Sequence, residues 1–349
     1  MKPNKSVTLD TVASLDNLRA AHRYARHGKT HYQSVQEVDA DAETLLAKLH
    51  DTLISGNYHT SRYKTEIIND CGKERLISKL PYYPDRITHW AIMLQMEPLF
   101  MAQFDPCTHA AIPGRGIHTA LRQTRGYMLA DPEGTRYCLK LDIHHYFPSI
   151  DHEILKRMLR RLISDRRLLQ LHYEIIDSAA GLPIGNYLSQ YYANLYLSAF
   201  DRWVKSKNRY YVRYMDDVVV LGRDAAELHA LYREIEWYLM RNLRLTVKGN
   251  WQVFPVAERG VDFVGYRIRH NSVILRKSTF RRMRAQCFRL RRSAERFGDL
   301  TLSEQCSLMS YLGWIMHCTK RTRTYLFERY FAPVLKHLKT KQTTTEAKQ

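Results

Sequence analysis

The sequence predicts an α+β fold in which helices accompany short antiparallel strands, and three observations predict it. Apolar residues recur every three or four positions over 41–54, 225–240 and 276–297, the period of a helix with one buried face. Short β-rich runs punctuated by Gly, Asp and Asn lie between them, at 63–78, 210–221 and 251–268. Some of these runs are separated only by a tight turn, which suits antiparallel pairing, whereas parallel strands need a long crossover.

In chain order, the first 60 residues read as helices, with Leu45, Leu46, Leu49 and Leu53 on one stripe. Residues 63–69 and 74–78 read as two strands joined by a turn at Asp70-Cys71-Gly72. A helix follows over 85–101. Tyr137-Cys-Leu-Lys-Leu-Asp142 suits a buried strand that ends in an acid. Asp151 opens a helix reaching about residue 163, and 195–204 is helical. The runs 210–214 and 218–221 form a hairpin with Asp216 and Asp217 at its turn. Residues 225–240 are an amphipathic helix, and 251–256 and 261–268 are each a strand.

The helix over 276–297 has Phe280, Met283, Cys287, Leu290, Ala294 and Phe297 on one apolar face. Around that face sit Arg276, Lys277, Arg281, Arg282, Arg284, Arg289, Arg291, Arg292 and Arg296, with Glu295 the sole acid. A solvated surface face is the competing reading. Nine cations against one anion favour a helix laid along a phosphate backbone, and Arg281, Arg284 and Arg291 are its candidate contacts.

Length and composition bound the rest. The 349 residues suffice for two or three subdomains. A net charge of +19 argues for a polyanionic partner. A membrane surface is the competing polyanion, but no apolar run reaches the ~18–20 residues that span a bilayer, so no membrane partner is expected. The N-terminus has no apolar stretch of the secretory kind, so no signal peptide is expected. Six cysteines (Cys71, Cys107, Cys138, Cys287, Cys306 and Cys318) are scattered with no C-x-x-C spacing. A zinc site is therefore not expected, and the thiols read as small hydrophobes in a reducing cytoplasm. The polar tail from Lys336 is expected to fray.

Three acids carry the candidate chemistry: Asp142 at a strand end, and Asp216 and Asp217 at the hairpin turn. A carboxylate among apolar residues is costly unless another charge offsets it. Magnesium, which takes hard oxygen ligands and substrate phosphates, is the natural partner. Two such ions about 4 Å apart activate an attacking hydroxyl and stabilise a leaving oxygen. A lone Asp-Asp turn is in itself more often an ordinary turn than a metal site.

Tyr214-Met-Asp-Asp217 within its hydrophobic hairpin resembles the catalytic hairpin of reverse transcriptases. Leu139-Lys-Leu-Asp-Ile-His-His-Tyr-Phe-Pro-Ser-Ile-Asp151 resembles that family's first palm motif, and Gly181-Leu-Pro-Ile-Gly-Asn-Tyr-Leu-Ser-Gln190 its template- and nucleotide-contacting motif. Leu245-Thr-Val-Lys248 and Phe263-Val-Gly-Tyr266 resemble the next two blocks, and Arg75 matches a fingers cation ahead of them. Many members have Gln-Gly-x-x-x-Ser-Pro where this chain has Ile184-Gly-x-x-x-Ser-Gln190. That variant is most similar to the reverse transcriptases of bacterial and phage diversity-generating retroelements.

The resemblance implies a right-hand polymerase with fingers, a palm built on an antiparallel sheet, and a helical thumb. The expected division is an N-terminal helical extension (1–60), fingers with part of the palm (61–135), palm with an inserted fingers segment (136–274), thumb (275–335) and disordered tail (336–349). It implies that Asp142, Asp216 and Asp217 hold two Mg²⁺ ions, Mn²⁺ being a possible substitute, with the Ile143 carbonyl completing one coordination sphere. Phe147 matches the steric gate against a 2′-hydroxyl, Arg75 the triphosphate-binding cation, and Ile184 and Gly185 the nucleotide-contacting pair. Lys248 matches the general acid for pyrophosphate. Ser189 and Gln190 match template contacts, and Phe263, Gly265 and Tyr266 the primer grip. His144 and His145 read as surface residues, and Asp151 as a helix cap. Residues 113–116 read either as a plain turn or as the family's Gly/Arg turn beside the template, with Ile112 where relatives often have Arg.

The expected activity is RNA-directed DNA synthesis from dNTPs. The expected partners are a structured template RNA, an RNA/DNA hybrid and a basic accessory protein. No nuclease, integrase or protease domain is expected after about residue 335. An aliphatic Ile184 cannot hydrogen-bond near the nascent pair, so copying is expected to be error-prone, above all at adenines. A defence-associated bacterial enzyme copying a non-coding RNA is the alternative within the class. The intact acids weigh against an inactive RNA-binding module, and Phe147 against an RNA-dependent RNA polymerase.

Overall fold

A computed structural model of the protein describes residues 4–70 and 73–336. The turn expected at Cys71-Gly72 and the tail beyond Lys336 lie outside the described residues. In chain order the elements are α1 (Leu9–Ala13), α2 (Leu15–Arg26), α3 (Gln33–Ala40), α4 (Ala42–Ile54), β1 (Lys64–Asp70), β2 (Lys73–Lys79), α5 (Ile87–Met101), α6 (Ile117–Ala130), β3 (Tyr137–Asp142), α7 (His152–Leu162), α8 (Arg166–Asp177) and α9 (Tyr187–Lys207). They continue with β4 (Tyr211–Tyr214), β5 (Asp217–Gly222), α10 (Ala225–Leu243), β6 (Gln252–Pro255), α11 (Val256–Arg259), β7 (Val261–Phe263), β8 (Tyr266–Ile268), β9 (Val273–Leu275), α12 (Lys277–Phe297), α13 (Leu302–Met316) and α14 (Lys320–Leu326).

The described residues divide into two compact units. The first takes Met1–Gly114, Leu141–Arg209 and Leu231–Trp251; the second takes Arg115–Lys140, Tyr210–Ala230 and the chain from Gln252 onward. In the first unit, α9 is buried almost all round, from Leu188 to Val204. Its buried polar groups are satisfied, as interior polar groups must be: Asn194 Nδ2 donates to the Ala110 carbonyl at 2.8 Å, and Thr108 Oγ1 donates to Asp201 at 2.8 Å. The β1–β2 hairpin stands as a separate two-stranded sheet.

The second unit holds a four-stranded sheet in the order β4-β5-β3-β6 and a three-stranded sheet β7-β8-β9. Strands β4 and β5 pair antiparallel, as do β3 and β6. Helix α12 buries Met283, Cys287, Leu290 and Ala294 against this unit's core. Met283 and Leu290 contribute about 1.5–3 kcal/mol each through that burial.

Three details differ from the sequence reading. Residues 261–268 form two strands, β7 and β8, because Val264 (φ 43°) and Gly265 (φ 85°) make a two-residue turn with both φ positive. Asp217 pairs with Tyr214 as the first residue of β5, so the turn itself is Met215-Asp216. Phe297, expected on the buried face of the 276–297 helix, is 66% exposed, because α12 ends there at the left-handed Gly298.

Candidate active site

Asp142 ends β3 and belongs to the first unit. Its carbonyl accepts from the Lys248 N–H at 2.9 Å, and His144 N donates to the Thr246 carbonyl at 2.8 Å. Ile143 bridges Val247 antiparallel. This short ladder brings the Lys248 side chain over Asp142, with Nζ 3.7 Å from Oδ2 and both side chains one-third exposed. An ion pair this open contributes at most about 1 kcal/mol, so either group can change partners at little cost. Ile143 is buried, and what it offers a ligand is its main-chain carbonyl.

The segment from Gly181 to Gln190 is fastened at two points. Leu182 N donates to the Phe147 carbonyl at 2.8 Å, and Ser78 N of β2 donates to the Ile184 carbonyl at 2.7 Å. Gly185 has φ +121°, and a Cβ there would stand 2.3 Å from the Ser78 carbonyl oxygen and 3.2 Å from Ile77 Cγ2. Arg75 and Ile77 are two apart on β2 and share a face, the face that meets Gly185. The four expected nucleotide contacts (Arg75, Phe147, Ile184 and Gly185) are thereby joined through one run of backbone. Arg75 is exposed, and Phe147 and Ile184 are half-buried. Ser189 is buried in α9, whereas Gln190 is exposed. Asp151 caps α7, accepting from Ile154 N at 3.0 Å, and pairs with Arg244 at 2.6 Å. His144 and His145 are exposed and touch edge to face at 4.1 Å.

Asp216 and Asp217 belong to the second unit. Met215, at the tip between Tyr214 and Asp216, has φ +57°. Arg213, fully buried in β4, donates from Nη1 to the Met215 carbonyl at 2.7 Å and so braces the tip. Lys140 of β3 places Nζ 2.5 Å from Asp217 Oδ1, both side chains about a quarter exposed. The same ammonium lies 5.6 Å from the centre of the Phe263 ring. Sequence reasoning passed over both cations. Their signal was a charge inside an otherwise apolar strand: Lys140 within YCLKLD, and Arg213 within YVRY.

Phe263 and Tyr266 are fully buried. Tyr266 stacks on Trp314 at 5.2 Å and donates its hydroxyl to the Trp314 carbonyl at 2.9 Å. Arg281, Arg284 and Arg291 are exposed along α12. Arg291 pairs with Glu295 at 2.7 Å, and Arg284 lies 5.9 Å from the Phe288 ring centre. Among the described residues, no three His, Cys, Asp or Glu side chains gather as a metal cage. Among the same residues, no helix is long and apolar enough to cross a membrane.

Carboxylates at Asp142, Asp216 and Asp217 and the arginines of β2 and α12 are the residue types that nucleotidyl transfer on a nucleic-acid strand calls for. They set the chain in the class of right-hand polymerases. The family model "Reverse transcriptase (RNA-dependent DNA polymerase)" matches residues 57–268, more than half the chain, and the chain belongs to that family.

Among its relatives, Protein YkfC of Escherichia coli is 26% identical over 271 residues, covering 64% of this chain and 71% of that protein. The group II intron-encoded protein LtrA of Lactococcus lactis is 25% identical over 178 residues, 48% of this chain but 29% of LtrA. Nuclear intron maturase 1, mitochondrial, of Arabidopsis thaliana is 30% identical over 102 residues, 29% of this chain and 14% of that protein. The structure of Candida albicans telomerase in complex with a telomeric RNA fragment is similar over 84% of this chain and 58% of that one, at 12% identity and a TM-score of 0.48.

Proposed function

We propose that this chain copies a retroelement RNA into cDNA with low fidelity at adenines, so that the product diversifies a target gene. In this reading, residues 61–135 and the inserted palm segment act as fingers, 136–274 as palm and 275–335 as thumb. Asp142 and Asp216 are the carboxylates that would hold two Mg²⁺ ions, and Asp217, already matched by Lys140, shapes the field beside them. The donor set fits magnesium, which binds through one or two carboxylates plus substrate phosphates and needs no protein cage. Bound there, the metal supplies charge for the attacking and leaving oxygens. The primer's 3′ hydroxyl gives up its proton to solvent as its oxygen bonds to the α-phosphorus of the dNTP, the bond from that phosphorus to the bridging oxygen of the β-phosphate breaks, and pyrophosphate leaves. Lys248 protonates the leaving group. Arg75 holds the triphosphate, and Phe147 closes the space a 2′-hydroxyl would need. The basic face of α12 follows the RNA/DNA hybrid, and a basic accessory protein delivers the structured RNA.

The observation that carries the diversifying reading is Ile184. It is tethered by its own carbonyl to Ser78, and its aliphatic side chain offers no hydrogen bond to a nascent pair. Sites without polar contacts discriminate poorly. The test is to sequence cDNA made by wild type and by Ile184→Gln. The reading expects errors concentrated opposite template adenine, and fewer of them in the variant; identical spectra would refute it. A second reading, an intron-type retroelement enzyme, draws on the likeness to LtrA and the maturase. Accurate cDNA synthesis by the wild type on an intron RNA would move that reading ahead.

A further inference from the structure

Three aromatic rings stack in the first unit, each from a different helix. Tyr24 of α2 lies over Trp90 of α5, with ring centroids 5.4 Å apart and planes 16° from parallel. Trp90 lies over Tyr187, the first residue of α9, at 4.5 Å and 24°. The outer ring, Tyr24, is 56% exposed. An aromatic ring left open at the end of a supported stack is the shape of a base-stacking platform.

The charges around this stack differ from those elsewhere on the N-terminal helices. Arg19 is neutralised by Glu43 at 2.6 Å and by Asp16 at 3.0 Å, and Arg26 by Asp39 at 2.7 Å. Arg86, one helical turn before Trp90, has a buried Nε with no hydrogen-bond partner, and Trp90 Nε1 is in the same state. Burial holds the Arg86 guanidinium below its ordinary pKa. Burial, and then the Arg86 charge itself, do the same to Lys29. No carboxylate among the described residues offsets either cation. Two like charges partly withdrawn from water and facing each other repel, and an arriving phosphate relieves that repulsion.

We propose that Tyr24, Trp90 and Tyr187, together with Lys29 and Arg86, form a binding site for single-stranded RNA, one base stacking on the open face of Tyr24 and the neighbouring phosphate meeting Lys29 and Arg86. The occupant is taken as the template strand because Tyr187 opens α9, the helix that carries the expected template contact Gln190 three residues on; in this it rests on the proposed polymerase function. Tyr24, Lys29, Arg86 and Trp90 lie outside the nucleotide-contacting motifs described above; Tyr187, the inner ring of the stack, belongs to the Gly181–Gln190 block.

The test is fluorescence anisotropy with the full chain and a short unstructured RNA, in EDTA, so that neither metal nor synthesis contributes. Tyr24→Ala is expected to weaken binding at least roughly fivefold, whereas Tyr24→Phe, which keeps the ring, binds as wild type. Lys29→Gln is expected to flatten the slope of log Kd against log salt by about 0.7. Melting temperatures verify that each variant folds. Binding by Tyr24→Ala and Lys29→Gln indistinguishable from wild type would overturn the site. So would a free nucleoside monophosphate competing as well as RNA of equal nucleotide content, which would indicate a small-molecule pocket. A chain that binds RNA through Tyr24 yet extends no primer keeps this site and loses the polymerase reading; extension with Tyr24 irrelevant to binding does the reverse.

Discussion

Replacing Gly185 by alanine tests how the loop proposed to contact the nucleotide is held. At φ +121° an L side chain is strained by on the order of 1–3 kcal/mol. The new Cβ would also stand 2.3 Å from the Ser78 carbonyl oxygen, where an ordinary carbon–oxygen contact is about 3.3 Å. The loop must therefore retreat from β2 by roughly 1 Å, stretching the 2.7 Å bond from Ser78 N to the Ile184 carbonyl. A displacement of that size at a reacting centre costs on the order of 100-fold in rate. The assay is single-nucleotide incorporation on a primed RNA template, read as kcat/KM for the dNTP. Gly126→Ala is the control: Gly126 lies in α6 with nothing within 4 Å of its added Cβ, and alanine there stabilises the helix by up to about 1 kcal/mol. Gly185→Ala is expected to lose about two orders of magnitude while Gly126→Ala stays at the wild-type value. A Gly185→Ala enzyme as efficient as wild type would refute the argument that the loop's seat on β2 positions the nucleotide.

Two further outcomes follow from charges the structure brings together. Lys140→Met removes the ammonium shared by Asp217 and the Phe263 ring. Both partners of the ion pair are partly exposed, so the melting temperature should change little, while extension falls by roughly tenfold or more and Lys140→Arg recovers most of it. A full-rate Lys140→Met enzyme would show that Lys140 is a bystander. Asp151→Ala should cost about 1 kcal/mol of stability through the lost α7 cap. Burial alone would raise the Asp151 carboxyl, but the bonds from Ile154 N and Arg244 outweigh it and hold its pKa below the ordinary value. Its contribution is therefore fully present above about pH 4 and fades as pH falls through the lowered folded value. Acid titration of unfolding should thus show wild type and Asp151→Ala converging at the acid end; a gap that persists unchanged there would contradict the assignment.

The blocks proposed to be catalytic were legible because they are local. Two β-rich runs flanking Met-Asp-Asp fix a hairpin, and an apolar run ending in Asp142 fixes a strand, whatever the rest of the chain does. The turn at Val264-Gly265 was not legible. Valine rarely adopts positive φ, so the apolar run 261–268 looked continuous and Gly265 was its only punctuation. Phe297 fitted the helical period of its neighbours, but periodicity cannot tell where a helix outruns the core it packs on. Lys140, Arg213 and the Tyr24–Trp90–Tyr187 stack escaped for a different reason. Each acquires its meaning from partners that sequence spacing does not reveal, such as Asp217, 77 residues from Lys140, or the three separate helices that supply the stacked rings.

The central claim is that Asp216 on the β4–β5 hairpin supports metal-dependent DNA synthesis on RNA. It is tested most directly by primer extension on an RNA template with Mg²⁺ and dNTPs, comparing wild type with Asp216→Asn. The account predicts cDNA from the wild type, its loss on chelation of the metal, and none from the variant. Equal extension by both proteins, or synthesis from NTPs in preference to dNTPs, would contradict it.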